Sequence, residues 1–468
     1  MKTYIRRKRC FIWPTMLALL IVLTSCGGFP SSNSSTPQPT LVISPVPSSG
    51  STTTGSDWTM YHNDNTRTGY IANAPDPGSL AKRWSTNLDG AVYAEPLVVN
   101  GHVIVATEGD SLYSLDANTG RVLWHTNVGT PVPLSDLPCG DIDPLGITGT
   151  PVYDPQTQLV YAVAEVTGYS HILVGVDVNT GKVRVRQPVD APGMDARAHQ
   201  QRAALALANG MVYIAYGGLD GDCSDYTGRV VALHTSGQGP LLVYTIPTSR
   251  EGGIWAPPGP SVDASGNIYV SVGNGASTGG NWDHSDSVLK LSPTLQLEDG
   301  FAPQQWARDN AGDADLGSMG PVLLPGGLIY ADGKSSNAYL LNANHLGGVG
   351  GQVAQASVCT AFGGAAVQGS TIIVPCVDGI RQVIIGAGNQ ITVGWHASGL
   401  IPGSPIIGGH TVYSINSNGT LYALNMSDGS IVASLSVGQT SRFATPTLFD
   451  GMILVGTLSG VVAVRINS

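Results

Sequence analysis

The stretch Arg308-Asp-Asn-Ala-Gly-Asp-Ala-Asp315 gathers three carboxylates, Asp309, Asp313 and Asp315. Oxygen donors this close together suit a hard cation such as calcium. The segment lacks the spacing and terminal glutamate of an EF-hand, so a solvated loop with Asx turns is the plainer reading. Asn274 stands between Gly273 and Gly275, where a positive-φ turn residue and a metal ligand both fit. His199, with Arg197 and Arg202 nearby, can face a central opening and bind an anion, or sit as an ordinary loop histidine. Trp255, followed by Ala256-Pro257-Pro258, is either a floor for a planar ring or a packing residue. No Gly-x-Ser-x-Gly, His-Glu-x-x-His or phosphate loop appears.

The elements that must position these residues are short strands. Residues 101–124, GHVIVATEGDSLYSLDANTGRVLW, read as three strands joined by turns. Val103 to Thr107 is an apolar run, as in a strand buried on both faces. Glu108-Gly-Asp110 and Asp116-Ala-Asn-Thr-Gly120 are turns, with Gly120 free to take a positive φ. Glu95–Val99 supplies a fourth strand ahead of them. Four short antiparallel strands of this kind make one propeller blade.

The unit recurs. An apolar pair running into a turn marks each third strand: Leu115-Asp116, Val176-Asp177, Leu233-His234, Leu291-Ser292, Leu341-Asn342, Ile385-Gly386, Leu424-Asn425 and Val464-Arg465. The intervals are 61, 57, 58, 50, 44, 39 and 40 residues. A blade needs roughly forty residues, so the early repeats carry insertions. The last repeat runs out before its fourth strand, and an unpaired strand, 82–88, waits at the other end. Trp84 there holds the place that Trp124 holds in its own repeat. The expected fold is all-β: an eight-bladed β-propeller of four-stranded antiparallel blades, closed by an N-terminal strand that completes the last blade. An open solenoid or a two-sheet sandwich is the alternative.

Three segments are expected. Residues 1–25 read as a signal: Arg6, Arg7, Lys8 and Arg9, then an apolar run too short for an ordinary span, then Leu23-Thr-Ser-Cys26-Gly. Small residues before a cysteine at that place resemble a bacterial lipoprotein signal, which implies lipidation of Cys26. Residues 26–56 are rich in Ser, Thr and Pro and carry no charge, as a flexible tether would. Residues 57–468 are the propeller. Without the leader the formal charge moves from −10 to −15, with 17 basic residues against 32 acidic ones. That balance argues against nucleic acid as a partner and against anionic lipid binding by the domain itself. The membrane would be reached through the lipid at Cys26. Apart from Cys10 and Cys26, four cysteines remain, an even number in an exported chain. Cys359 and Cys376 flank the first strands of one repeat, so we pair them, leaving Cys139 with Cys223 across neighbouring blades. No Cys-x-x-Cys-His is present, so covalent haem is not expected.

Two sets of motifs carry a resemblance. Asp57-Trp-Thr-Met-Tyr-His-Asn-Asp-Asn-Thr-Arg-Thr-Gly69, taken with Leu115-Asp-Ala-Asn-Thr-Gly-Arg-Val-Leu-Trp124, resembles the propellers with pyrroloquinoline quinone (PQQ) repeats, over about 57–468. In that family the repeat tryptophan packs between blades. Here the motif is complete only in the first repeat. His199-Gln-Gln-Arg202, Gly221-Asp-Cys-Ser-Asp-Tyr-Thr-Gly228, Gly252-Gly-Ile-Trp255, Val272-Gly-Asn-Gly275, Ser285–Leu291 and Asp313–Gly317 resemble the polyvinyl-alcohol-type quinoprotein dehydrogenases.

That resemblance implies calcium and PQQ over the propeller axis. Asn274 matches the metal-binding asparagine, Asp222 lies near the metal-binding carboxylate, and Asp309 or Asp315 matches the catalytic aspartate. Trp255, His199 and Arg202 would then border the cofactor. Such a carboxylate takes a proton from an alcohol while the quinone accepts hydride. The chain departs from the pattern in having no adjacent cysteine pair and in missing several repeat tryptophans.

Two functions therefore stand. The first is a binding or scaffolding lipoprotein, similar in architecture to the propeller lipoprotein of the outer-membrane barrel-assembly machinery, which holds another extracytoplasmic protein or a small ligand on its loop face. The second is a PQQ- and calcium-dependent dehydrogenase of an alcohol or sugar. If the second holds, Asp222, Asn274 and one of Asp309 or Asp315 converge within metal-ligand reach.

Overall fold

A computed structural model of the chain describes residues 57–399 and 403–468. The signal, Cys26 and the tether lie outside the described residues. Eight antiparallel sheets follow one another along the chain and are numbered here as blades 1–8. Blade 1 is Leu97–Val99, His102–Thr107, Ser111–Asp116 and Val122–Asn127. Later blades open at Val152, Ala206, Ser261, Val322, Ala366, Ile406 and Thr447. The repeat signal proves sound. Seven third strands end at Asp116, Asp177, His234, Leu291, Asn342, Ile385 and Asn425, and the eighth runs on to Asn467.

Closure occurs as the unpaired strand requires, from three residues earlier. Ser79–Asn87 pairs antiparallel with Gly460–Asn467, from Ser79 opposite Asn467 to Asn87 opposite Gly460. The four strands of blade 8 thus come from both ends of the propeller, and the ring closes on itself.

Neighbouring blades are latched by aromatic residues. The Trp84 indole N–H donates to the Ala117 carbonyl at 2.9 Å, and its ring covers Gly120. A Cβ at Gly120 would sit 2.5 Å from that ring, so only glycine admits it. Trp124 repeats this on Val178 and Gly181, and Trp395 on Met426 and Gly429. At three of the junctions that lack tryptophan, a buried tyrosine from a blade's second strand reaches the next blade's turn. Tyr161 donates to Thr235 at 2.6 Å, Tyr213 to Pro293 at 2.9 Å and Tyr269 to Ala343 at 3.4 Å.

One feature has no counterpart in the repeat. The arm 57–71 bonds to the inner strands, or their approaches, in six blades. Trp58 bridges Val98 of blade 1, and Thr59 accepts from Tyr153 of blade 2. Arg67 donates to Leu205 and Pro260 ahead of blades 3 and 4, and Asn65 accepts from Val262. Thr68 accepts from Val367 of blade 6, and Tyr70–Ile71 pairs with blade 7. An arm bonded to inner strands around the ring has to cross its axis, and it closes that end.

Candidate functional site

Residues reach the axis by a repeated offset. The residue four before each blade's first strand is Tyr93, Thr148, Arg202, Pro257, Ser318, Phe362 and Phe443, with blade 7's counterpart outside the described residues. All but Ser318 line one of two hollows on the axis. The smaller lies against Tyr61 of the arm. The larger is a cavity of about 540 Å³, bordered also by Trp255, Asn274, Lys334, Arg442 and the acids Asp141, Asp220, Asp222 and Asp313.

Trp255 is held at the floor by small neighbours. Gly217 lies against its Cβ, Ile254 N–H donates to Tyr216, and Gly273 N–H donates to Gly253. Around its ring stand Lys334 at 5.4 Å, Arg202 at 5.9 Å, Phe362 at 6.3 Å and Phe443 at 6.5 Å. The Arg202 guanidinium stacks over Phe443 at 4.2 Å, and that of Arg442 over Phe362 at 4.4 Å. Among the described residues neither guanidinium has a hydrogen-bond or ion-pair partner. Burial pulls the Arg202 pKa down, opposed by Asp141 and Asp220. Stacking of this kind holds a guanidinium flat and leaves its donor edge free.

On the other side, the Lys334 ammonium is 3.1 Å from a fully buried Asp315 carboxylate and also bonds Asp313. Burial raises the Asp315 carboxyl, and Lys334 counters this. Burial alone would lower Lys334, but Asp315 and Asp313 outweigh it and hold the amine above its ordinary value.

The expected site residues fall into two groups. Arg202, Trp255, Asp222 and Asn274 border the cavity, and Asp315 lies just beneath it, beside Gly273 and Gly317. Asp222 accepts the Tyr226 hydroxyl at 2.5 Å, and the Asn274 amide donates to Glu251 at 3.3 Å. His199 and Asp309 stand elsewhere. Both His199 nitrogens face carbonyls, Asp195 at 2.7 Å and Thr227 at 3.1 Å, so it is a buried brace rather than a cavity residue. Asp309 is buried on the short helix Trp306–Ala311, 3.6 Å from Arg308. The lining residues Lys334, Phe362, Arg442 and Phe443 carry no motif. The offset of four would have found the two phenylalanines.

The donor set does not fit calcium. Among the described residues no three Asp, Glu, His or Cys are placed to hold a metal. The Asn274 amide points its N–H at a carboxylate, and the charge of Asp315 is already met by an ammonium. A divalent ion beside Asp315 would face that ammonium at close range, where like charges repel strongly. Trp255 and the two phenylalanines lie against one another, 6.3, 6.5 and 6.4 Å apart, and together offer an apolar aromatic face to a flat ring.

Both disulfides form as paired from the sequence. Cys139–Cys223 ties the 131–146 loop to the 219–226 loop, and both loops give acids to the cavity mouth. Cys359–Cys376 is buried.

Eight four-stranded blades with Trp-on-Gly latches define a β-propeller of the PQQ-repeat type. A family model described as outer membrane protein assembly factor BamB matches residues 48–276. Solved structures share the fold at low identity. A quinohemoprotein alcohol dehydrogenase from Comamonas testosteroni is 15% identical with a TM-score of 0.68, over 87% of this chain and 80% of that one. A europium-containing methanol dehydrogenase is 13% identical with a TM-score of 0.67, over 87% and 97%. BamB from Moraxella catarrhalis is 14% identical with a TM-score of 0.58, over 82% and 99%. No curated protein matches the chain in sequence. Among the described residues no helix is long and apolar enough to cross a membrane.

Proposed function

We propose that this is an extracytoplasmic propeller lipoprotein, anchored through Cys26, that works as a binding module with its ligand in the axial cavity. The observation that carries this reading is the Arg202 guanidinium, stacked over Phe443 inside the cavity with its donors unmet. Arg202 is half-buried and its donors open into the cavity, so a ligand anion can take them up in charge-assisted hydrogen bonds. Two disulfides accord with an oxidising compartment. The membrane-assembly description of the family model and the lipoprotein-like leader point the same way.

The second reading, a PQQ- and calcium-dependent dehydrogenase, draws on Trp255 as a floor for a flat ring and on the fold shared with alcohol and methanol dehydrogenases. The Lys334–Asp315 pair weighs against its metal. Calorimetric titration of the protein with PQQ, with and without calcium, separates the two. Binding that needs calcium and is lost in Asn274→Ala makes it a metal-dependent quinoprotein. Binding indifferent to calcium, or none, leaves the module.

A further inference from the structure

Arg202 is the pivot of the cavity. Its own plane is taken up by Phe443, and Trp255 lies 5.9 Å away. Beside it stands a second cation, Arg442, which rests on Phe362 and is exposed. Facing it from the disulfide-tied loops are Asp141 and Asp220, near enough to oppose the loss of its proton, yet neither closes to an ion pair. Charges of both signs therefore surround one small volume, with aromatic faces beneath them.

A multiply charged anion suits the two guanidiniums but is repelled by the acids of the same mouth, Asp141, Asp220 and Asp222. A cation suits the acids and is repelled by Arg202 and Arg442. A neutral apolar ligand leaves all of them unsolvated.

Resting on the reading of the axial cavity as a binding site, we propose that its ligand is an aromatic zwitterion with an amino-acid-like head. Its carboxylate takes the free edge of Arg202, with Arg442 behind it. Its ammonium takes Asp141 and Asp220. Its ring lies against the aromatic face that Trp255, Phe362 and Phe443 make together. Opposite charges a bond or two apart match the placement of both signs around a single guanidinium, and charge-assisted hydrogen bonds supply the selectivity.

Three probes share one indole and differ only in charge: tryptophan, tryptamine and indole-3-propionate. Titrated calorimetrically into the full chain, tryptophan is expected to bind at least about tenfold tighter than either singly charged analogue, the worth of one charge-assisted bond. In Arg202→Met the advantage over tryptamine disappears. In the Asp141→Asn, Asp220→Asn double variant the advantage over indole-3-propionate disappears. Arg442→Ala, at an exposed position, keeps the test alive if Arg202→Met fails to fold: it weakens tryptophan and indole-3-propionate together and spares tryptamine. Indole-3-propionate binding as tightly as tryptophan would overturn the zwitterion and leave an anion site. PQQ binding with no indole binding would do the same. Silence from all four ligands would remove the binding module as well.

Discussion

Blades 6–8 with blade 1 differ from blades 2–5 in how they are joined and in what they carry. Blades 6–8 have the shorter repeats, and the first group supplies all three tryptophan latches, Trp124, Trp395 and Trp84, the last closing the ring between blades 8 and 1. The second group is joined by tyrosines, Tyr161, Tyr213 and Tyr269. Its longer repeats spend their extra residues on the connections that bring Asp222, Trp255, Asn274, Asp313 and Lys334 to the cavity. Regular repeats hold the ring and give the cavity Arg202, Phe362 and Phe443 at a fixed offset, and the longer connections add the rest of its lining, so the same fold serves unlike chemistries.

The sharpest way to break this comparison is to remove the closing latch. Trp84→Ala is expected to cost about 3–5 kcal/mol, from lost ring burial and the cavity left on Gly120. Chemical denaturation should show a much lower midpoint. A loss no larger than that of a tyrosine latch would mean that the two halves are joined alike.

The lip comes next. Replacing both Cys139 and Cys223 by serine should cost about 2 kcal/mol and open 131–146 to protease, with the blades still protected. Equal exposure of blade strands would show that the insertions are part of the ring after all.

A smaller effect depends on pH. Burial holds the Glu108 and Asp110 carboxyls up at about 8, far above their ordinary range, with Glu165 adding to both. The folded chain thus binds these protons more tightly than the unfolded chain. Their contribution is complete below the ordinary carboxyl range and is lost as pH rises through about 8. Glu108→Gln should match the wild type near pH 4 and gain about 1–2 kcal/mol over it by pH 8. Melting temperatures across that range check the sign, and a gain on the acid side would refute it.

Tyr161→Phe should cost only about 1 kcal/mol, a single hydrogen bond with the ring retained. Smallest of all, Arg442→Ala should change stability by less than about 0.5 kcal/mol, because the side chain is exposed and touches only the faces of Phe362 and Phe443.

The ring was legible because each third strand ends on an apolar pair before a turn, and because Trp84 had no partner strand of its own. The site was half legible. Arg202, Trp255, Asp222 and Asn274 lie in motifs and do reach the cavity. His199 sits in the same motif as Arg202, but its ring turns back onto two carbonyls. Asp309 is carried off by a helical turn. Lys334 could not be read from sequence, because its partner Asp315 is brought to it by the packing of blade 5 on the 313–318 loop. The motif 57–69 carried the family resemblance but not its own path, because the arm's crossing of the axis depends on inner strands from six blades that no local pattern reveals.

That crossing has a consequence for how the protein is made. Residues 79–87 leave the ribosome long before their partner, Gly460–Asn467. Trp58, Tyr61 and Arg67 likewise await blades not yet synthesised. Contacts of such sequence separation make folding slow. Until the final strand is made, the opening segment has no partner to pair with, and blade 8 cannot close.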